Sequence, residues 1–111
     1  MINVATAADG KGGRDVRRDE ILAILRAHYP EMAALGVTSL ALFGSFAREE
    51  AALGSDVDLI VEFATPPTFA RYMDVKFLLE DLLGSGVDLV PRDGLKPRLR
   101  PIVKREEIRV A

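Results

Sequence analysis

Three short apolar stretches constrain the fold of this chain more than any other feature of its sequence. They are Val37–Phe43, Val57–Phe63 and Val87–Val90, and glycine or proline follows each within a few residues. Apolar runs of this length that contain β-branched residues are typical of buried strands, because a helix is usually at least ~10 residues long. The segments between them repeat apolar residues at helical spacing instead. The sequence therefore predicts strands that alternate with helices.

Capping and turn residues set the expected limits of the helices. Asp15 can cap the first helix, and Pro30 is expected to end or reset it because proline has no N–H to donate. Thr68 and Gly84 are expected to cap and terminate a long helix. The other expected elements are a short helix from Phe46 to Leu53, a last helix with Pro97 or Pro101 in its first turn, and an edge strand at Ile108–Val110. This order predicts an α/β (α+β) fold, a mixed sheet of three to four strands packed against helices.

Length and charge limit what the chain can do. Its 111 residues suit one domain, with a flexible N-terminal tail expected over residues 1–14 and a single folded domain over residues 15–111. Fifteen basic against seventeen acidic residues give a net charge of -2, which argues against binding nucleic acid or an anionic membrane through the whole surface. No apolar run approaches the ~18 residues of a membrane span, and no signal-peptide pattern is seen. We therefore expect a cytoplasmic protein.

The residue types available narrow the possible chemistry. Cysteine is absent and there is one histidine, so thiolate nucleophiles, cysteine metal sites and histidine clusters are excluded. Carboxylates, hydroxyls, amines and backbone groups remain. Any catalytic site in this chain must be built from these groups.

The turn after the first predicted strand has features of a phosphate site. Gly44 and Ser45 join the strand to a helix, and such a junction presents backbone N–H groups to an anion. Ser45 adds a hydroxyl, and Arg48 adds a guanidinium with forked donors. Taken alone, the same residues fit a strand terminator, a helix cap and a solvated surface charge, so this motif does not decide between the two interpretations.

Three aspartates point to a metal site. Asp56 and Asp58 are two apart on a predicted strand, so their side chains leave the same face and repel each other unless a cation lies between them. Mg²⁺ favours such oxygen ligands. The pattern S-x-V-D-L recurs thirty positions later and gives Asp88 a place comparable to that of Asp58. If the two strands lie side by side in register, three carboxylates share one face, which is costly without metal.

Together these motifs resemble the nucleotidyltransferases of the DNA polymerase beta superfamily, and more closely the minimal nucleotidyltransferases, the MntA-type antitoxins of HEPN/MNT toxin–antitoxin modules. Residues 40–60 (LALFGSFAREEAALGSDVDLI) look like the family signature G-S-x-A-R-x(6)-S-D-x-D-L. Residues 78–90 and 95–100 are also similar to these proteins. One departure is Glu49, since glycine often follows the signature arginine in this family.

The resemblance implies a role for each site residue. Gly44 and Ser45 would hold the β- and γ-phosphates of a nucleoside triphosphate, with Arg48 assisting. Asp56 and Asp58 would bind two Mg²⁺ ions, and Asp88 would hold the catalytic metal and act as, or orient, the base for the attacking hydroxyl. The implied function is Mg²⁺-dependent transfer of AMP from ATP to a tyrosine hydroxyl of a partner HEPN toxin, which inactivates it.

Alternatives remain open at this point. The chain could be an antitoxin that neutralises its toxin by stoichiometric binding without catalysis, or it could transfer a nucleotide to a small molecule or an RNA end. Tyr72 fits either a core position or the wall of a base pocket. The basic stretch from Arg92 to Arg109 is either a solvated helix face or a contact for an acidic partner or for RNA.

Overall fold

The computed structural model describes residues 13–52 and 54–111, in which four helices alternate with four strands. Residues 1–12, most of the expected tail, lie outside the described residues. In chain order the elements are α1 (Gly13–Ala34), β1 (Val37–Phe43), α2 (Gly44–Ala47), β2 (Val57–Phe63), α3 (Phe69–Leu83), β3 (Val87–Pro91), α4 (Arg100–Glu106) and β4 (Ile108–Arg109). Two single 3-10 turns, Arg92–Gly94 and Pro97–Leu99, connect β3 to α4. The predicted alternation of helices and strands is confirmed.

The strands form one mixed sheet in the order β3-β2-β1-β4. Strand β1 pairs antiparallel with both β2 and β4, whereas β2 and β3 are parallel. A parallel pair needs a long crossover, and α3 supplies it between β2 and β3. The short edge strand predicted near the end of the chain is also present, as β4.

Strand β2 is buried on both faces of the sheet. On one face Leu59 packs in the main core, whose members from α1 and α3 include Leu25 and Leu79. On the other face Ile60 packs with Leu95 and Val103 from the turns and helix that follow β3. Burial on both faces explains why the β2 sequence is almost continuously apolar rather than alternating. Asp58, near the start of this strand, is therefore anchored on a rigid element.

Helix α1 continues through Pro30 to Ala34, so the expected end at that proline is wrong. Proline in a helix costs about 3 kcal/mol because one backbone hydrogen bond is lost. Met32, two residues further on, is fully buried in the core, and Tyr29 donates a hydrogen bond of 3.2 Å to the carbonyl of Val37. Tertiary packing of this last turn offsets the missing bond.

The short helix expected from Phe46 to Leu53 is also wrong in its limits. Helix α2 begins at Gly44 and ends at Ala47, and Leu53 lies outside the described residues. Glu49 ends the helical path because its backbone is left-handed, with φ 62°. The N–H of Glu50 then bonds to the carbonyl of Ser45 at 2.8 Å and closes the turn.

The limits predicted for α3 are confirmed. The Thr68 hydroxyl accepts a hydrogen bond of 3.1 Å from the N–H of Arg71, which caps the first turn. Gly84 ends the helix in the left-handed conformation, with φ 65°. Among the described residues, no helix is long and apolar enough to cross a membrane.

Candidate active site

One edge of the sheet collects the residues that the sequence motifs single out. Because β1 and β2 are antiparallel, the end of β1 lies beside the start of β2, and Phe43 pairs with Asp58. Because β2 and β3 are parallel, their starts lie side by side, and Asp58 pairs with Asp88. Gly44 directly follows Phe43, so the Gly-Ser turn and the two aspartates meet at the same edge.

The repeated S-x-V-D-L pattern corresponds to this register. Val57 pairs with Val87, Asp58 with Asp88 and Leu59 with Leu89. The register on which the expected carboxylate cluster depends is thereby confirmed for Asp58 and Asp88. Asp58 is half-buried, whereas Asp88 and Asp56, which immediately precedes β2, are exposed. A molecule approaching from solvent can therefore reach this edge.

Electrostatic repulsion is concentrated on Asp58. Burial raises the pKa of its carboxyl group, and the negative charges of Asp88 and then Asp56 raise it further, while Arg48 acts in the opposite direction. A hydrogen bond with the Asp88 carboxyl group also raises the pKa of Asp58. A negative charge on Asp58 is therefore disfavoured in the folded protein.

Gly44 leaves the space that the Asp58 side chain occupies. A β-carbon placed on Gly44 would overlap the Oδ2 atom of Asp58. The backbone of Gly44 is also left-handed, with φ 76°, a conformation that costs most other residues about 1–2 kcal/mol. Both the close approach and the backbone conformation therefore require glycine here.

Gly86 likewise leaves the space that the Asp56 side chain occupies, although the sequence motifs did not identify this glycine. A β-carbon on Gly86 would lie 2.5 Å from the Oδ1 atom of Asp56. The carbonyl of Gly86 also accepts a hydrogen bond of 2.9 Å from the N–H of Val57. The repeated pattern could have identified Gly86, because Gly86 occupies the position in the second copy of S-x-V-D-L that Asp56 occupies in the first.

Arg48 lies at the end of α2 and is held by two carboxylates. Its guanidinium contacts Glu50 at 3.0 Å and Glu106 of α4 at 3.3 Å. The hydrogen bond that Arg48 donates to Glu50, followed by charge and hydrogen-bond contributions from both carboxylates, raises the pKa of Arg48 despite some loss of hydration. Arg48 is exposed and lies close enough to Asp58 to affect its pKa. The contact with Glu106, 58 residues away, was not predicted from the sequence.

Ser45 lies in the first turn of α2 and is half-buried. Its backbone carbonyl accepts the hydrogen bond from Glu50 that closes the turn, and the carbonyl of Gly44 accepts one of 3.1 Å from Arg48. Ser45 and Arg48 thus belong to the same compact turn as Gly44. The turn brings all three predicted phosphate-binding residues to one end of β1.

The aspartates have the donor chemistry that a hard divalent cation prefers, since they offer only carboxylate oxygens. Their mutual repulsion raises the pKa of Asp58, and a cation would relieve it. Within the described part of the chain, no group of three or more potential metal ligands is arranged around a single point. The chemistry of these carboxylates nevertheless fits Mg²⁺.

Two residues with open interpretations now have defined contacts. The hydroxyl of Tyr72 donates to the carbonyl of Leu89 at 2.5 Å, and its ring packs against the core, which favours the core interpretation. Within the basic stretch, Arg92 pairs with Glu107 at 2.5 Å. The cations that remain exposed on this stretch are Lys96, Arg98, Arg100, Lys104, Arg105 and Arg109.

Comparison with known proteins places this fold and its motifs in a family. Residues 18–110 match the family model described as a nucleotidyltransferase domain. The protein adenylyltransferase MntA of Thermococcus cleftensis is 40% identical over 93 residues, which cover 83% of this chain and 94% of that protein. A solved structure described as a minimal nucleotidyltransferase is also 40% identical, with a TM-score of 0.63 over 85% of this chain and 89% of that one.

The fold of this chain is also found in a chain of a solved toxin–antitoxin complex. The structure of a tri-AMPylated Shewanella oneidensis HEPN toxin in complex with MNT antitoxin aligns with a TM-score of 0.54. The alignment covers 88% of this chain and 71% of that one at 21% identity, so it bears on the fold alone. The family model and the Thermococcus relative each match most of the chain. This protein therefore belongs to the nucleotidyltransferase-domain family and, within it, to the MntA-like protein adenylyltransferases.

Proposed function

We propose that this protein is an antitoxin that transfers AMP from ATP to a tyrosine hydroxyl of a partner HEPN toxin and thereby inactivates it. The observation that carries the proposal is the register of Asp58 with Asp88 beside Gly44. The Thermococcus relative, which is named as a protein adenylyltransferase, supports the reaction class. The Shewanella complex, whose HEPN toxin is tri-AMPylated, supports the kind of partner.

The three aspartates form the reactive part of the proposed site. Asp56, Asp58 and Asp88 would together hold two Mg²⁺ ions, which would neutralise charge developing on the α-phosphate and lower the pKa of the acceptor hydroxyl. Asp88 is exposed, so an acceptor on another protein can reach it. In the proposed reaction the acceptor oxygen bonds to the α-phosphorus, its proton passes to Asp88, and the bond to the β-phosphate breaks as pyrophosphate leaves.

The turn at the end of β1 would bind the leaving phosphates. Gly44 and Ser45 would contact the β- and γ-phosphates, and Arg48 would assist them. Arg48 is exposed, and it pairs with the exposed carboxylates of Glu50 and Glu106. Ion pairs at the surface are weak, so a triphosphate can compete for the guanidinium.

An antitoxin that acts only by stoichiometric binding is the alternative in a different class. Gly44 and Gly86 argue against it, because each leaves room for a carboxylate side chain at a site where carboxylates repel. A protein that only binds its partner gains nothing from that arrangement. Transfer to a small molecule or an RNA end is the other alternative. The Thermococcus relative, which is named as a protein adenylyltransferase, favours a protein acceptor.

A labelling experiment tests the proposal. The protein is incubated with α-labelled ATP, Mg²⁺ and a HEPN toxin as the candidate partner, and is compared with Asp56→Ala, Asp58→Ala and the exposed control Asp81→Ala on α3. We expect label on the HEPN protein with the wild type and Asp81→Ala, and none with the two site variants. Neutralisation of the toxin by Asp56→Ala, with no label from any form, would establish the binding alternative instead.

A further inference from the structure

Helix α3 holds the outer edge of the strand that carries Asp88. Strand β3 lies at one border of the sheet, and within residues 13–52 and 54–111 no strand pairs with its outer backbone groups. Three α3 side chains spaced four residues apart, those of Tyr72, Lys76 and Glu80, reach over this border. They bond to the backbone of β3 on either side of Asp88.

The contacts are direct and complementary. The ammonium group of Lys76 donates to the carbonyl of Val87 at 2.6 Å, and Glu80 Oε2 accepts from the N–H of Val87 at 3.1 Å. Lys76 and Glu80 also pair with each other at 3.0 Å, one helical turn apart. Both polar groups of the Val87 backbone are therefore bound by one ion pair. The hydroxyl of Tyr72 donates to the carbonyl of Leu89 at 2.5 Å.

The hydrogen bonds from α3 are made to the residues before and after Asp88. In a parallel pair, successive residues of a strand direct their backbone groups to opposite edges. Val87 and Leu89 therefore face α3, while the backbone of Asp88 faces β2, where it pairs with Asp58. Helix α3 therefore fixes the backbone of Val87 and Leu89, and strand β2 fixes the backbone of Asp88 between them.

Lys76 and Glu80 carry opposite charges that stabilise each other. The hydrogen bond from Lys76, followed by that from the Val87 N–H, lowers the pKa of Glu80. Glu80 is thus an ionised acceptor at neutral pH. An ionised acceptor and a cationic donor form stronger hydrogen bonds than neutral groups do.

We propose that Lys76 and Glu80, assisted by Tyr72, are positioning residues that fix the backbone around Asp88 and so determine where its carboxylate lies. They do not touch the reacting atoms. The proposal rests on the proposed function, because it assigns Asp88 a role in holding metal. The alternative is that these side chains only prevent the border strand from pairing with another chain.

The experiment compares Lys76→Met, which removes the bond to Val87 and the ion pair, with Lys76→Arg, which keeps a cation and donors. Arg71→Met is the matched control, because it removes an exposed cation from the same helix without touching β3. Tyr72→Phe is a second variant that removes only the bond to Leu89. Each protein is checked for folding by urea denaturation. Mn²⁺ affinity is then measured without nucleotide, and kcat and KM for ATP are measured with the HEPN partner.

We expect Lys76→Met to weaken Mn²⁺ binding and lower kcat, each on the order of 10-fold, while KM for ATP changes little. Lys76→Arg should restore most of both losses, and Arg71→Met should resemble the wild type. Tyr72→Phe should lower Mn²⁺ affinity and kcat by a smaller factor. If Lys76→Met does not fold, the result for Tyr72→Phe decides whether α3 positions Asp88.

Two outcomes separate this proposal from the proposed function. Folded Lys76→Met and Tyr72→Phe variants with wild-type Mn²⁺ affinity would overturn the positioning role and leave these side chains as protection for a border strand. If the wild type transfers no AMP, the proposed function fails. Mn²⁺ affinity still tests the positioning role in that case, and a wild-type protein that binds no Mn²⁺ would also overturn it.

Discussion

The carboxylate of Asp58 lies against the α-carbon of Gly44, where no β-carbon can fit. The two residues are 14 positions apart in the chain. Gly44 begins α2 directly after β1, and Asp58 lies near the start of β2, the antiparallel neighbour of β1. This contact joins the proposed phosphate-binding turn to the proposed metal-binding carboxylates. The Gly-Ser turn and Asp58 therefore meet at one edge of the sheet.

Substitution of Gly44 should remove activity through this contact. Gly44→Ala is expected to lower AMP transfer at least ~100-fold, because the new β-carbon displaces Asp58. Gly84→Ala is the matched control, since Gly84 is also left-handed but has nothing within 4 Å of an added β-carbon. Urea denaturation should show a loss of about 1–2 kcal/mol for Gly84→Ala and a loss at least as large for Gly44→Ala. Equal activity in the two variants would contradict this prediction.

Gly86 should matter for activity more than for stability. Gly86→Ala adds a β-carbon 2.5 Å from Asp56 Oδ1, while Gly94→Ala adds one with nothing within 4 Å. Neither position is left-handed, so the backbone cost is small in both. We expect Gly86→Ala to lower kcat about 10-fold or more and to weaken Mn²⁺ binding, with Gly94→Ala unchanged in both measurements. A Gly86→Ala variant with full activity would show that Asp56 tolerates displacement.

The pH dependence of stability should reveal the strained carboxylate. Because the pKa of Asp58 is raised in the folded protein by burial and by Asp88 and Asp56, its ionised form opposes folding. Without metal, Asp58→Asn should therefore be more stable than the wild type at pH 7. That difference should shrink as the pH falls through the folded pKa and vanish below the unfolded value of about 4.

Urea denaturation of both proteins in chelator, from pH 3.5 to pH 8, measures this difference. Asp81→Asn, at an exposed position on α3, serves as the control and should follow the wild type. Mg²⁺ added at pH 7 should stabilise the wild type and not Asp58→Asn. A wild type that is more stable than Asp58→Asn at pH 7 in chelator would reverse the sign of this prediction.

Glu49 occupies a backbone conformation that suits glycine better. Its φ of 62° is left-handed, and it also pairs with Arg18 at 3.5 Å. Glu49→Gly and Glu49→Ala both remove the side-chain interactions, but only glycine relieves the backbone. Glu49→Gly should therefore be more stable than Glu49→Ala by about 1 kcal/mol in urea denaturation. Equal stability of the two variants would mean that the turn relaxes when the side chain is removed.

Much of the fold could be predicted from local sequence patterns. The three apolar stretches became β1, β2 and β3 because short β-branched runs are buried most easily as strands. The repeated S-x-V-D-L pattern gave Asp58 and Asp88 comparable places on two strands, and the parallel register pairs them, since matching apolar positions bury the same face of neighbouring strands. Thr68 and Gly84 marked the ends of α3 because capping depends only on nearby backbone groups.

Other features depended on contacts between distant residues. Pro30 lies inside α1 because Met32 beyond it is buried, and α2 ends early because the backbone of Glu49 is left-handed. The pairing of Arg48 with Glu106 and the hold of Lys76 on Val87 join separate elements. Nothing local in the sequence encodes these contacts, because they exist only after helices and strands pack.

The amino-acid sequence alone thus settled which chemical groups are available and which strands carry them, because composition and periodicity are local properties. Only the packed sheet decided how closely Gly44 approaches Asp58, how Gly86 makes room for Asp56, and what holds the strand of Asp88. Those relationships are set by distances between elements, and such distances follow from the packing of the whole domain.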